Sequence, residues 1–212
     1  MKKDKKGILY TIVARAVWIF AGLFFRCEFR GTENLPARGQ KVLVCSNHIS
    51  ALDPIFVAVA CLKRQLFFMG KAELFRNPIL SYFFRKCGAF PVERGTGGAD
   101  ALAEARRLLD EEGRAVTIFI EGTRSKTGEL LKPKMGTAVL ANQTQAPILP
   151  VCITTKDCLS PKLFGRVIVS FGELIQPEEF GIETGSGVEL RRLSRTIMER
   201  IAAMREEDKG KF

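Results

Sequence analysis

Residues 115–120, Ala-Val-Thr-Ile-Phe-Ile, form a nearly unbroken apolar run just behind an amphipathic stretch at 99–112. In that stretch Leu102, Ala105, Leu108 and Leu109 share one face at helical spacing. Arg106, Arg107, Asp110 and Glu111 share the other, and Gly113 supplies a left-handed helix end. A strand apolar on both faces needs cover above and below its sheet, which is the arrangement of α/β proteins. The alternation continues along the chain. Strands are expected at 27–30, 41–45, 66–69, 88–92, 148–154 and 166–171, and helices at 77–86, 136–142 and 188–207. Asp53-Pro54 reads as a helix start, with Asp53 at the N-cap. It opens an apolar segment, 55–62, that would be buried all round.

The chain has 212 residues, enough for one domain with a substantial core. Its net charge of +10 points to anionic partners: nucleic acid, acidic lipid or a phosphorylated small molecule. The six cysteines show no CxxC and no metal-ligand spacing, so buried, reduced thiols and no metal site are expected.

Residues 1–26 form a basic and apolar segment. Lys2, Lys3, Lys5 and Lys6 precede an apolar run, 8–25, that only Arg15 interrupts. As a helix the run is about 27 Å long, borderline for a hydrocarbon core of about 30 Å. An Arg at mid-bilayer costs about 2.5–3.5 kcal/mol on insertion scales. Thr11, Arg15, Trp18 and Gly22 lie on one narrow stripe, so a helix lying in the membrane interface is the expected form. Arg26 and Arg30 add flanking charge toward an anionic surface. A true span, a soluble core helix and a signal peptide are the rivals.

Two blocks carry candidate chemistry. His48 is the sole histidine, and Asp53 follows five residues later. On a regular helix the two would face apart; on a loop before the Pro54 helix the carboxylate can reach the ring. It would then fix the tautomer at Nδ1 and leave Nε2 as a base toward a hydroxyl or thiol. The plain alternative is a helix cap beside a satisfied loop residue. The second block is Glu121-Gly122-Thr123-Arg124-Ser125, at the carboxyl end of the buried run, where α/β sheets bind ligands. Gly122 lets the backbone turn sharply, and Arg124 can grip a phosphate bidentately. An ordinary turn with a Glu121–Arg124 pair fits equally well. Arg94, at the end of an expected strand, and Lys71, Lys132 and Lys134 add positive charge, each a solvated side chain by default.

Taken together, Asn47-His48 with Asp53, then Arg94, then Phe119 to Ser125, then Pro150 resemble the lysophosphatidate acyltransferases of the glycerolipid acyltransferase family in order and interval. The family usually has Pro where this chain has Ile120. The resemblance implies a mixed, largely parallel sheet flanked by helices, with residues 27–212 as the acyltransferase domain and a two-helix membrane-docking element, of which only one helix is evident before residue 26. It implies transfer of an acyl group from acyl-CoA or acyl-carrier protein to the sn-2 hydroxyl of lysophosphatidate, with no other cofactor. His48 would be the general base, oriented by Asp53. Arg94, Glu121, Gly122, Thr123 and Arg124 would fall at the acceptor-binding positions, with Lys71 on the phosphate side. It places the chain at the cytoplasmic face of the cell membrane, monotopic or peripheral, on an anionic surface. Another acceptor, such as glycerol-3-phosphate, another lysophospholipid or an amino-lipid, is the nearest alternative. A basic module binding nucleic acid or anionic membrane is the non-enzymatic one. Nucleic acid is disfavoured because the aromatics are mainly Phe in apolar runs, not interleaved with Lys and Arg.

Overall fold

The computed structural model describes residues 8–92 and 99–212. Their strands are β1 (Arg26–Arg30), β2 (Val42–Ser46), β3 (Leu66–Lys71), β4 (Ala89–Val92), β5 (Ala115–Phe119), β6 (Ile148–Thr154) and β7 (Arg166–Phe171). They form one sheet in the order β1-β7-β6-β2-β5-β3-β4. Every neighbouring pair is parallel except β6–β7. The helices are α1 (Ile8–Phe24), α2 (Asp53–Ala60), α3 (Pro78–Lys86), α4 (Ala99–Asp110), α5 (Gly136–Thr144) and α6 (Gly187–Lys209). The expected α/β class holds, as a largely parallel mixed sheet flanked by helices.

The core is divided by the sheet. Val42 and Val44 of β2 face a layer containing Phe56 and Val57 of α2. Leu43 and Cys45 face the opposite layer, with Leu108 of α4, Leu140 of α5 and Ile197 of α6. All four β2 side chains have no exposure, as a central strand covered on both faces requires. The period-two alternation assigns each residue its layer. Gly113 ends α4 region as expected, at φ +60°, where an added Cβ would lie 2.8 Å from the Gly39 carbonyl oxygen.

Three local expectations are corrected. Leu52, not Asp53, precedes the first residue of α2, and the Asp53 carboxylate turns back toward the preceding loop. The segment after Pro54 is not buried all round, because only one side of α2 lies on the sheet and Ile55 stays 38% exposed. Arg30, expected as a flanking charge, is partnered within the fold by Glu28 and by buried Asp208. Asp208 also accepts from Ser170 and Thr154, which ties the end of α6 to β7 and β6.

α1 packs against α2 through one side, with Tyr10, Ala14 and Ala21 buried. Its other side leaves Ile8, Ile12, Trp18, Ile19, Phe20 and Leu23 exposed. Among the described residues, no helix is long and apolar enough to cross a membrane. The four N-terminal lysines lie outside the described residues. Cys45, Cys61, Cys152 and Cys158 are buried free thiols, while Cys27 and Cys87 are half-buried.

Candidate active site

Parallel strands bring their carboxyl ends to one edge of the sheet. Here β2 ends at Ser46, in register with Phe119 of β5 on one side and Val151 of β6 on the other. Asn47 then leaves the strand but keeps the ladder: its side chain donates to the Ile153 carbonyl at 2.9 Å and accepts from the Ile153 amide at 2.8 Å. This fully buried amide fixes where the next residue, His48, must stand. Nothing in the local sequence pattern reveals that role, since its partner is 106 positions away.

His48 sits on the loop, not on a helix, so the five-residue spacing closes. Its Nδ1 lies 2.7 Å from Asp53 Oδ2. The same oxygen accepts from the Ile49 and Ser50 amides at 2.7 and 2.8 Å. Asp53 therefore caps the turn that precedes α2, and its position is set by the backbone as well as by the ring. It has no solvent exposure, whereas the His48 side chain retains 18%. The imidazole also stacks on Phe119, with centroids 4.0 Å apart and planes 15° apart. With one nitrogen bound to a carboxylate and one face held by an aromatic ring, Nε2 is the nitrogen that could accept a proton.

Glu121 is not delivered to the cleft surface. It is 1% exposed; Oε1 accepts from the His48 amide and Oε2 from the Leu131 amide, each at 3.0 Å. Burial raises its pKa, against the opposing pull of those two donors. The Glu121–Arg124 pair of the ordinary-turn alternative is absent among the described residues; the carboxylate is a brace under His48 instead. Ser125 completes the brace by donating its amide to the His48 carbonyl at 2.8 Å. Gly122 takes φ +70°, and an added Cβ would meet Lys134 Cγ at 3.2 Å. Thr123 and Arg124 are exposed beyond this turn.

A cleft of about 860 Å³ opens beside the imidazole. Lys71, Thr123 and Lys134 stand in its polar part, and Met69, Leu102, Ile118 and Ile120 give it apolar walls. Lys134 was one of several undistinguished lysines in sequence, and it is the fold of the 126–135 loop that carries it here: its amide donates to the Ile120 carbonyl at 2.8 Å. Arg94 lies outside the described residues. Cys45, three positions before His48, is a poor nucleophile: it is buried within β2, and burial pushes its thiol pKa far up.

An Acyltransferase family profile matches residues 26–154, the segment that holds all of this geometry. A 1-acyl-sn-glycerol-3-phosphate acyltransferase of Bacillus subtilis is 32% identical over 174 residues, covering 81% of this chain and 85% of that protein. One from Streptococcus pneumoniae is 28% identical over 198 residues, covering 89% of this chain and 71% of its own length. The crystal structure of the 1-acyl-sn-glycerophosphate (LPA) acyltransferase PlsC from Thermotoga maritima superposes with a TM-score of 0.73 at 28% identity. That match covers 94% of this chain and 81% of the other. With the family profile spanning well over half of its length, the chain belongs to the Acyltransferase family.

Proposed function

We propose that the protein transfers an acyl group from an acyl thioester to the sn-2 hydroxyl of 1-acyl-glycerol-3-phosphate. His48 Nε2 accepts the hydroxyl proton as the oxygen attacks the thioester carbonyl. The carbon–sulfur bond then breaks, and the departing thiolate takes the proton back from Nε2. The products are phosphatidate and a free thiol, with no acyl-enzyme and no cofactor beyond the donor. The donor is acyl-CoA or acyl-carrier protein. Asp53 holds the ring tautomer and stabilises the imidazolium that forms.

The observation that carries this reading is the 2.7 Å contact between His48 Nδ1 and Asp53 Oδ2 at the rim of a cleft with cationic and apolar parts. The reaction needs both: positive charge for the acceptor phosphate and an apolar wall for the acyl chain being transferred. Lys71, Lys134 and Arg124 supply the charge, and Arg94 is assigned to the same phosphate from its position in the sequence motif. The apolar wall of the cleft suits the donor chain. The names of the Bacillus subtilis and Streptococcus pneumoniae relatives support the acceptor.

The exposed apolar side of α1 fits a helix lying in the plane of an anionic membrane, with Arg15 and Arg26 among the headgroups. We place the enzyme on the cytoplasmic leaflet as a monotopic protein.

Purified protein incubated with oleoyl-CoA or oleoyl-acyl-carrier protein and a panel of acceptors tests the reading. Lysophosphatidate is expected to release thiol and yield phosphatidate faster than glycerol-3-phosphate, other lysophospholipids or amino-lipids. Faster turnover of any of these would transfer the assignment to that acceptor. A folded His48→Ala protein with the wild-type rate would remove the base.

A further inference from the structure

Two cavities with apolar walls meet the turn that carries His48, one from each face of the sheet. The cleft described above has Met69, Leu102, Ile118 and Ile120 in its walls, all from the layer under α4 and α5. A second groove, of about 560 Å³, lies on the opposite face between α1 and α2. Ala16 and Phe20 of α1, Leu52, Ile55 and Phe56 at the start of α2, and Leu163 at the rim give it an apolar lining. Leu52 stands between His48 and Asp53 in the chain. The turn that builds the base thus also builds one end of the groove.

We infer that this groove holds the sn-1 acyl chain of the acceptor, so that each cavity takes one of the two chains that the reaction joins. The inference rests on the lysophosphatidate reading above. The groove is of small-molecule size, within the range of about 300–1,000 Å³ common for ligand sites. Phe20 belongs both to its lining and to the exposed apolar side of α1, at 59% exposure. A chain can therefore pass from lipid into the groove without exposing its methylenes to water. The rim is tied at both ends. Ser160 Oγ lies 3.0 Å from Ser50 Oγ in the catalytic turn, and the Phe164 amide donates to the Phe24 carbonyl of α1 at 2.7 Å. Phe164 is held at φ +60°, a conformation a Phe rarely adopts. The loop that closes the groove thus links the base-bearing turn to α1.

A lysophosphatidate with a diazirine at the end of its acyl chain, presented in phosphatidylcholine–phosphatidylglycerol vesicles, is the direct probe. After irradiation and digestion, adducts are expected within residues 16–25, 52–56 or at Leu163. Adducts confined to residues 101–122 and 134–137, or none at all, would overturn the inference. This readout does not depend on turnover, whereas failure of the wild-type enzyme to form phosphatidate would overturn the acceptor assignment itself. Two variants add a kinetic test. Ala16→Trp fills the groove from an exposed helix position, and Leu163→Asp charges its rim. Each should lower kcat/KM for 1-oleoyl relative to 1-hexanoyl acceptor by about tenfold or more, as a pocket reading methylenes does. The donor chain-length profile should not move. An unchanged acceptor ratio, or an equal loss on both acceptors, would count against the groove.

Discussion

The His48 amide and the Glu121 carboxylate are 73 positions apart in the chain and 3.0 Å apart in space. Through that bond the strand-end glutamate fixes the backbone of His48, while Asp53 fixes its ring. The two carboxylates therefore divide the work: Asp53 faces the imidazole, and Glu121 stands beneath it.

That division predicts a non-additive pair. Asp53→Asn should lower kcat by on the order of 10²–10⁴-fold, the span of a positioned general base. The double variant His48→Ala/Asp53→Asn should be no slower than His48→Ala alone, because the carboxylate works through the ring. Steady-state rates for the full cycle check this, and an additive loss would show a separate role for Asp53.

Glu121→Ala should destabilise the fold by roughly 1–3 kcal/mol, because it leaves the buried His48 and Leu131 amides without their acceptor. Burial raises the Glu121 pKa above its ordinary 4.5. A raised carboxylate contributes stability that is complete below the unfolded value and is lost as pH rises through the folded one. The stability margin of wild type over Glu121→Ala, from urea melts, should therefore be largest in acid. It should shrink as pH climbs above about 4.5 and then level off.

Gly122→Ala forces an L residue into a left-handed conformation and sets a Cβ against Lys134. The backbone term costs about 1–2 kcal/mol. Thermal melts should show the loss. KM for the acceptor should rise as the turn and Lys134 shift.

Lys71→Ala, Lys134→Ala and Arg124→Ala should each raise KM for lysophosphatidate by roughly tenfold, the scale of one charge-assisted hydrogen bond. The effect should weaken as salt is added, because these side chains are exposed. Monoacylglycerol, which has no phosphate, should be insensitive. Arg124→Lys should restore little if the guanidinium contact is bidentate.

Ile12→Asp places a charge on the exposed side of α1, at a residue 61% exposed, and should leave the fold intact. Removing one buried aliphatic side chain from lipid costs about 1.5–3 kcal/mol, so cosedimentation with anionic vesicles should fall by at least about tenfold. Undiminished vesicle binding would separate α1 from the membrane.

Much of the fold was legible residue by residue. Apolar runs and amphipathic spacing placed every strand and helix of the α/β order to within a few residues, because those signals are local and periodic. The His48–Asp53 and Glu121–Arg124 blocks were legible as candidates for the same reason: each lies within one short stretch of chain. Their meaning was not. Whether Asp53 caps a helix or holds a ring depends on where the loop bends, and that bend is set by Asn47 gripping Ile153 in another strand. Glu121 looked like a ligand for the acceptor, yet its oxygens go to amides that only the assembled sheet brings near it. The antiparallel entry of β7, the arrival of Lys134 in the cleft and the groove between α1 and α2 are likewise products of packing. Side-chain periodicity records which face of an element is buried, but a hydrogen bond or cavity wall shared by residues a hundred positions apart leaves no repeat in the chain from which to read it.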